Sequence, residues 1–191
     1  CLVGMAAGFA KQLSTLSHSK KSLAYNPPAK FNLLSYMASE RGSFWQNVMI
    51  VFGLVAVLWV FQILQYFGFD FTDFANHPRH TEGLKGIFFS PFLHNPRSYD
   101  HIISNTLPVM VLLTVLLNAY PRTALAVLFF IHVGSGALVW LLAPSNTYHV
   151  GISGIVYGIA GFLVASGLFR KDTKSVAIAI FIALVYGGMV V

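Results

Sequence analysis

The sequence predicts an all-α fold, a polytopic helix bundle in a membrane, and three observations carry that expectation. Of the 191 residues, 56% are hydrophobic and 9% are charged, whereas soluble domains carry about 25% charged residues. The apolar residues gather into uncharged runs that reach the roughly 20 residues a helix needs to cross a bilayer. The charged residues sit at the ends of those runs and form no stripe of their own. The net charge of +6 therefore reads as a topology signal, and no nucleic-acid partner is expected.

Residues 1–43 are mixed and basic, with Lys11, Lys20, Lys21, Lys30 and Arg41 around an Asn-Pro-Pro break at 26–28. They read as an extramembrane tail with a short amphipathic piece at 9–16. The opening apolar stretch lacks a basic leader and a cleavage site, so it is not a signal peptide. A single cysteine, Cys1, excludes an internal disulfide. The membrane domain is expected over 44–191.

The first span lies within the uncharged run from Gly42 to Phe69. A long segment over 68–99 follows, mixing aromatics, charge and proline, and loops of that length in a compact bundle are usually functional. The second span runs from about Asp100 to Asn118 and ends at Asn-Ala-Tyr-Pro-Arg. No Asp, Glu, Lys or Arg occurs from Thr123 to Phe169, too long a run for one helix. The loop Ala-Pro-Ser-Asn-Thr-Tyr-His at 143–149 divides it into a third and a fourth span. Arg-Lys-Asp-Thr-Lys closes the fourth, and a fifth begins near Ser175, still apolar at Val191.

Charge sets the expected orientation. With a cytoplasmic N-terminus, nine basic residues lie inside and only Arg79, Lys85 and Arg97 outside, as the positive-inside bias requires. The long segment and the 143–149 loop then face outward, and the plasma membrane of a bacterium is the expected setting. The odd span count leads one to expect a further span beyond Val191.

Polar residues inside spans are costly and face the bundle or water. His101 and Asn105 are four apart, on one helix face at the outer end of the second span. In "HVGISGIVYGIAGFLVA", Gly151, Gly154, Gly158, Gly161 and Ala165 recur at three and four, a small-residue stripe for close helix approach. Ser153 and Tyr157 lie on the adjacent stripe. Alone, each group reads as polar glue or packing. Taken together, a hydroxyl, an imidazole and an amide at one height supply a nucleophile and oxyanion donors for acyl transfer, but no general base. The other histidines read as structural: His18 in the tail, His77 and His80 solvated in the long segment, His132 bonded within the bundle, and His149 capping or lining the site. No cluster has metal-site spacing and no phosphate loop is present, so no cofactor is expected.

These residues resemble the rhomboid family of intramembrane serine proteases. Gly-Ile-Ser-Gly at 151–154 is similar to the family's G-x-S-G, and His-Ile-Ile-Ser-Asn at 101–105 to its H-x-x-x-N. Tyr157 matches the aromatic four residues after the nucleophile, and Phe-Leu-His at 92–94 resembles the upstream histidine segment. The resemblance covers residues 44–191, about five of the six core transmembrane helices. It implies Ser153 as nucleophile, with His101, Asn105 and the Ser153 backbone N–H as oxyanion donors. Tyr157 would pack on the catalytic histidine, and Gly151 and Gly154 would admit the sixth helix that carries this base. The sequence departs from the pattern in two ways: no residue here matches the base, and His94 to His101 is about two residues longer than the family's spacing. The activity implied is cleavage of single-pass transmembrane proteins within the lipid bilayer, near the outer face. The 191-residue chain itself is expected to be inactive. The alternative is a non-catalytic rhomboid-like pseudoprotease that binds client helices.

Overall fold

The computed structural model describes residues 33–186, with side chains from residue 43 onward. The amphipathic piece expected at 9–16, the Asn-Pro-Pro break, His18 and the last residues of the fifth span lie outside the described residues. Residues from Glu40 onward form one compact unit, and the packing described below is confined to it.

Six helices and no strand occur among the described residues. Helix α1 is Leu33–Tyr66, α2 Gly86–Phe89, α3 Asp100–Ala119, α4 Ala124–Leu142, α5 Ser153–Arg170 and α6 Thr173–Tyr186. Among the described residues four stretches are long and apolar enough to cross a membrane: Ser43–Tyr66, Asp100–Ala119, Ala124–Leu142 and Ser153–Arg170. The chain is therefore a multi-pass membrane protein, and its expected all-α class is the observed one. Helix α1 is already formed at Leu33, before the uncharged run, and no proline interrupts Leu-Leu-Ser-Tyr-Met-Ala-Ser-Glu.

The core is a seam of large aliphatic residues. Leu112 and Leu116 of α3, Ile159 and Leu163 of α5, Ile182 of α6 and Val51 and Leu58 of α1 are all buried. Helix α4 stands at the margin, with Ala124 its one fully buried residue. Its remaining apolar surface suits lipid, which is as apolar as leucine.

Both ends of the bundle are built from specific polar contacts. At one end, α5 closes on Lys171 in the left-handed region, φ 54°, a usual helix stop. Asp172 then opens α6, accepting from the Ser175 N–H at 3.0 Å and the Ser175 hydroxyl at 2.8 Å. Its salt bridge to Arg170 spans 3.0 Å. These donors, the Ser175 backbone foremost, hold the exposed Asp172 carboxyl at about 2. Tyr120 donates to Ser175 across the same end, at 3.2 Å.

At the opposite end the 67–99 segment is folded into a cap. It contains 3-10 turns at Thr72–Phe74, Thr81–Lys85 and Ser90–Phe92 around the short α2. Two glycines let this chain fold onto itself. A Cβ at Gly86 would stand 2.5 Å from Asn76 Cα, and one at Gly83 2.7 Å from His77 N. Both neighbours are backbone and cannot yield cheaply. Gly136 of α4 does the same for the cap as a whole, since a Cβ there would meet the Ile87 carbonyl at 2.8 Å.

Gly86→Ala should destabilise the protein by about 1–3 kcal/mol, the usual cost of overpacking. Gly53→Ala, whose Cβ would meet open space, should leave stability unchanged or slightly raised. Thermal unfolding of the two variants beside the parent in one detergent checks this; equal midpoints for all three would contradict it.

Candidate active site

The site is assembled where the cap, the first turns of α3 and the start of α5 meet. Helix α3 is pinned to α1 there. Trp59 Nε1 donates to Thr106 Oγ1 at 3.1 Å, and Tyr99 stacks on Trp59 and packs against Tyr66. Pro108 lies inside α3 and has no N–H to give the Ser104 carbonyl. The turn before it is reinforced by side chains bonding back to the helix. Asn105 Nδ2 donates to the His101 carbonyl at 3.0 Å, and Thr106 Oγ1 to the Ile102 carbonyl at 2.7 Å. Asn105 is buried, at 5% exposure, and its amide retains a second N–H.

The loop between α4 and α5 is stitched to the cap like a two-residue sheet. Asn76 N donates to the His149 carbonyl at 3.0 Å, and His149 N returns to the Asn76 carbonyl at 2.9 Å. Asn76 Nδ2 also reaches the Gly136 carbonyl of α4, at 2.8 Å. Beyond it, Gly151 N donates to the Ser90 carbonyl at 2.9 Å. These bonds fix the chain just before Ser153.

Ser153 is the first residue of α5, after the N-cap Ile152, which offers no side-chain cap. The Ser153 N–H accordingly has no intrahelical acceptor and stands at the positive end of the helix dipole. Two residues earlier, Gly151 has φ +109°, a conformation that favours glycine. The same glycine meets His101. A Cβ at 151 would lie 2.6 Å from His101 Cε1 and 2.8 Å from Nε2. The imidazole therefore rests on bare backbone beside the serine.

Ser153 itself is half-buried and opens onto a cavity of about 100 Å³ shared with Asn76, Ser90, Ser135, Gly136 and His149. His101 and Asn105 are not among the residues lining that cavity. The structure thus brings His101 to Gly151 and places Ser153 next along the chain, facing a small polar space. Asn76 Oδ1 is buried with no hydrogen-bond partner. His149 lines this space with its Nε2 2.8 Å from Thr147 Oγ1.

The glycine stripe divides. Gly154 packs on Ser135 and Gly158 on Ile131, both on α4, whereas nothing lies within 4 Å of a Cβ at Gly161. Two straight helices that cross touch over only a few turns, so α4 covers the N-terminal half of the stripe and leaves the rest. Gly161 and Ala165, with Tyr157, line an apolar groove of about 700 Å³ between α5 and α6. Tyr157 is 47% exposed on that groove.

Of the remaining histidines, His132 is bonded as expected, whereas His77 and His80 are more engaged than the sequence suggests. His132 Nε2 donates to the Phe88 carbonyl at 3.1 Å, fastening the cap to α4. His77 is not simply solvated. It stacks between His80 at 3.7 Å and Tyr148 at 4.3 Å, and its Nε2 donates to the Ser145 carbonyl at 3.0 Å. His94 is fully buried, and Gln65 holds its backbone by two bonds of 3.0 and 3.1 Å. Burial, then the neighbouring His101, pull its imidazole down to about 4, against a weaker opposing pull from the Phe92 backbone. Sequence reasoning missed Gln62, Gln65 and Asn76. The two glutamines had a visible signal, since each is an amide inside an apolar run; Asn76, in a polar loop, had none.

Comparison with known proteins places the chain. The family model of the Rhomboid domain matches residues 81–191. Uncharacterized proteins of Mycobacterium tuberculosis and Mycobacterium bovis are 28% identical over 149 residues, covering 71% of this chain and 58% of theirs. One from Mycobacterium leprae is 30% identical over 114 residues, 57% of this chain and 44% of its own. The chain thus spans little more than half the length of these relatives. No solved structure matches it.

The His94 shift predicts acid sensitivity. Its folded value, about 4, lies below the ordinary 6.5, so the unfolded chain binds the extra proton between these values. The stabilisation is complete above about pH 6.5 and is lost as pH falls through about 4, on the order of 3 kcal/mol in all. Thermal midpoints from pH 7.5 to 4 should fall for the parent and fall less for His94→Phe. Identical slopes would contradict the assignment.

Proposed function

The chain belongs to the rhomboid family, and we propose that the full-length protein is an intramembrane serine endopeptidase with Ser153 as its nucleophile. The observation that carries this reading is the seat of His101 on Gly151, two residues before a serine that begins a helix. An imidazole seated two residues before a hydroxyl at a helix N-terminus supports a reading of nucleophilic acyl transfer.

In this mechanism Ser153 Oγ attacks the substrate carbonyl carbon and gives its proton to a general-base histidine, which the family resemblance assigns to a sixth helix. The tetrahedral oxyanion accepts hydrogen bonds from the Ser153 N–H, the free N–H of Asn105 Nδ2 and the ring N–H of His101. The base returns the proton to the leaving amine, and the C–N bond breaks. Water then adds to the acyl-serine, loses a proton to the same base, and releases the carboxylate product and Ser153. The groove beside Gly161, Ala165 and Tyr157 is the seat proposed for the helix that brings the base. Gly154, being covered by α4, supports the site through that contact instead.

The substrates proposed are single-pass membrane proteins whose spans unwind near the outer face, because a helical peptide bond is shielded by its own hydrogen bonds. The charge count of nine basic residues against three supports a cytoplasmic N-terminus, with 1–43 as a tail outside the membrane domain. The cap would then face outward, in the plasma membrane of a bacterium.

Full-length protein in detergent, given a transmembrane substrate, tests the reading. Ser153→Ala should abolish cleavage and labelling by a fluorophosphonate. Asn105→Ala should lower kcat about 10²–10³-fold, the usual cost of one oxyanion donor. Cleavage by Ser153→Ala at the parent's rate would refute the nucleophile. A parent that binds the substrate helix without cutting it would favour a non-catalytic client-binding protein.

A further inference from the structure

His101 is held from two sides. One side rests on Gly151, whose backbone is fixed by the Ser90 carbonyl at 2.9 Å. The other meets His94 edge to face, with ring centroids 5.1 Å apart and planes at 69°. His94 is the more firmly placed of the two rings. Gln65 clamps its N–H and carbonyl together, and Gln62 Nε2 donates to the next carbonyl, Asn95, at 2.9 Å. Both glutamines come from α1, so the His94 wedge is referenced to the first span and not to α3.

The cost of this arrangement is visible. Neither His94 ring nitrogen makes a well-formed hydrogen bond, though the residue is 0% exposed; the Phe92 backbone is near enough to pull weakly on the ring but not to satisfy it. A buried polar atom left unpaired is destabilising, and its own bonds account for nothing at this position. What the ring does contact is His101. An edge-to-face partner restricts rotation of a neighbouring ring about its terminal torsion, which is otherwise broad.

We propose that His94 is a positioning residue whose ring, wedged from α1, holds the His101 imidazole against Gly151 with one nitrogen directed to the carbonyl that Ser153 attacks. This rests on the serine-protease reading. Without the wedge, His101 samples orientations in which it donates nothing to the oxyanion. Because the contact with His101 is made edge to face by the rings, the flat shape at position 94 is what matters.

The test uses full-length protein. His94→Ala should lower kcat about tenfold with KM within twofold of the parent, measured where both are folded by thermal unfolding. His94→Phe keeps the ring and should stay within threefold of the parent. His94→Leu fills the volume without a flat ring and replaces the alanine variant if that one does not fold. A second readout needs no activity. In a Ser153→Ala background, ¹⁵N spectra of the His101 ring should show one tautomer in the parent and in His94→Phe, and an averaged pair in His94→Ala or His94→Leu. An unchanged kcat in His94→Ala, an equal loss in His94→Phe, or an unaltered His101 spectrum would overturn the proposal. Should Ser153→Ala cleave like the parent, the protease reading fails by itself, and the spectra still decide whether His94 orients His101.

Discussion

The buried part of an irregular segment must find its hydrogen bonds inside the protein, and the rest of this structure depends on how that demand is met. The 67–99 segment has little regular structure of its own. Many of its peptide groups bond locally in turns, and amide side chains and the facing loop supply the bonds that tie it to the bundle. Gln65 serves both backbone groups of residue 94, Gln62 the carbonyl of 95, and Asn76 ties the cap to α4 and to the His149 backbone. Once these bonds are made, Ser90 can fix Gly151, Gly151 can receive His101, and α5 can begin at Ser153. The geometry around the serine is thus set mainly by residues outside α5.

The fold was legible from the sequence because membrane helices announce themselves twice, by apolar length and by the charges that bound them. Asp100–Ala119, Ala124–Leu142 and Ser153–Arg170 fall where uncharged runs and their loops placed them. Ser153, His101 and Asn105 were legible as expensive polar residues in cheap surroundings. The cap was not, because nothing in a string of aromatics, prolines and histidines says which carbonyl a distant glutamine will meet. Periodicity also misled at the glycine stripe. A repeat of three and four fixes a helix face, but where a neighbour leaves that face depends on a crossing angle that the repeat does not contain.

The two histidines of the second-span region differ by environment. His101 sits on a glycine at the mouth of α5, half-buried. His94 is sealed beneath the cap and kept neutral by burial. Identical side chains 5.1 Å apart can therefore divide their work: one ring remains available to a reacting group, and the other gives it a wall.

The close contacts at Gly83, Gly86 and Gly136 are made mainly with backbone of the cap, and of the three only Gly136 lines the cavity that Ser153 faces. Shape and chemistry are consequently separable in this architecture. A descendant that lost Ser153 would still need all three glycines to close its cap, whereas one that lost Gly86 would forfeit the cap even with its serine intact. Substitution at Gly86 and substitution at Ser153 therefore act on different things, the first on the closure of the cap and the second on the small polar cavity beside it.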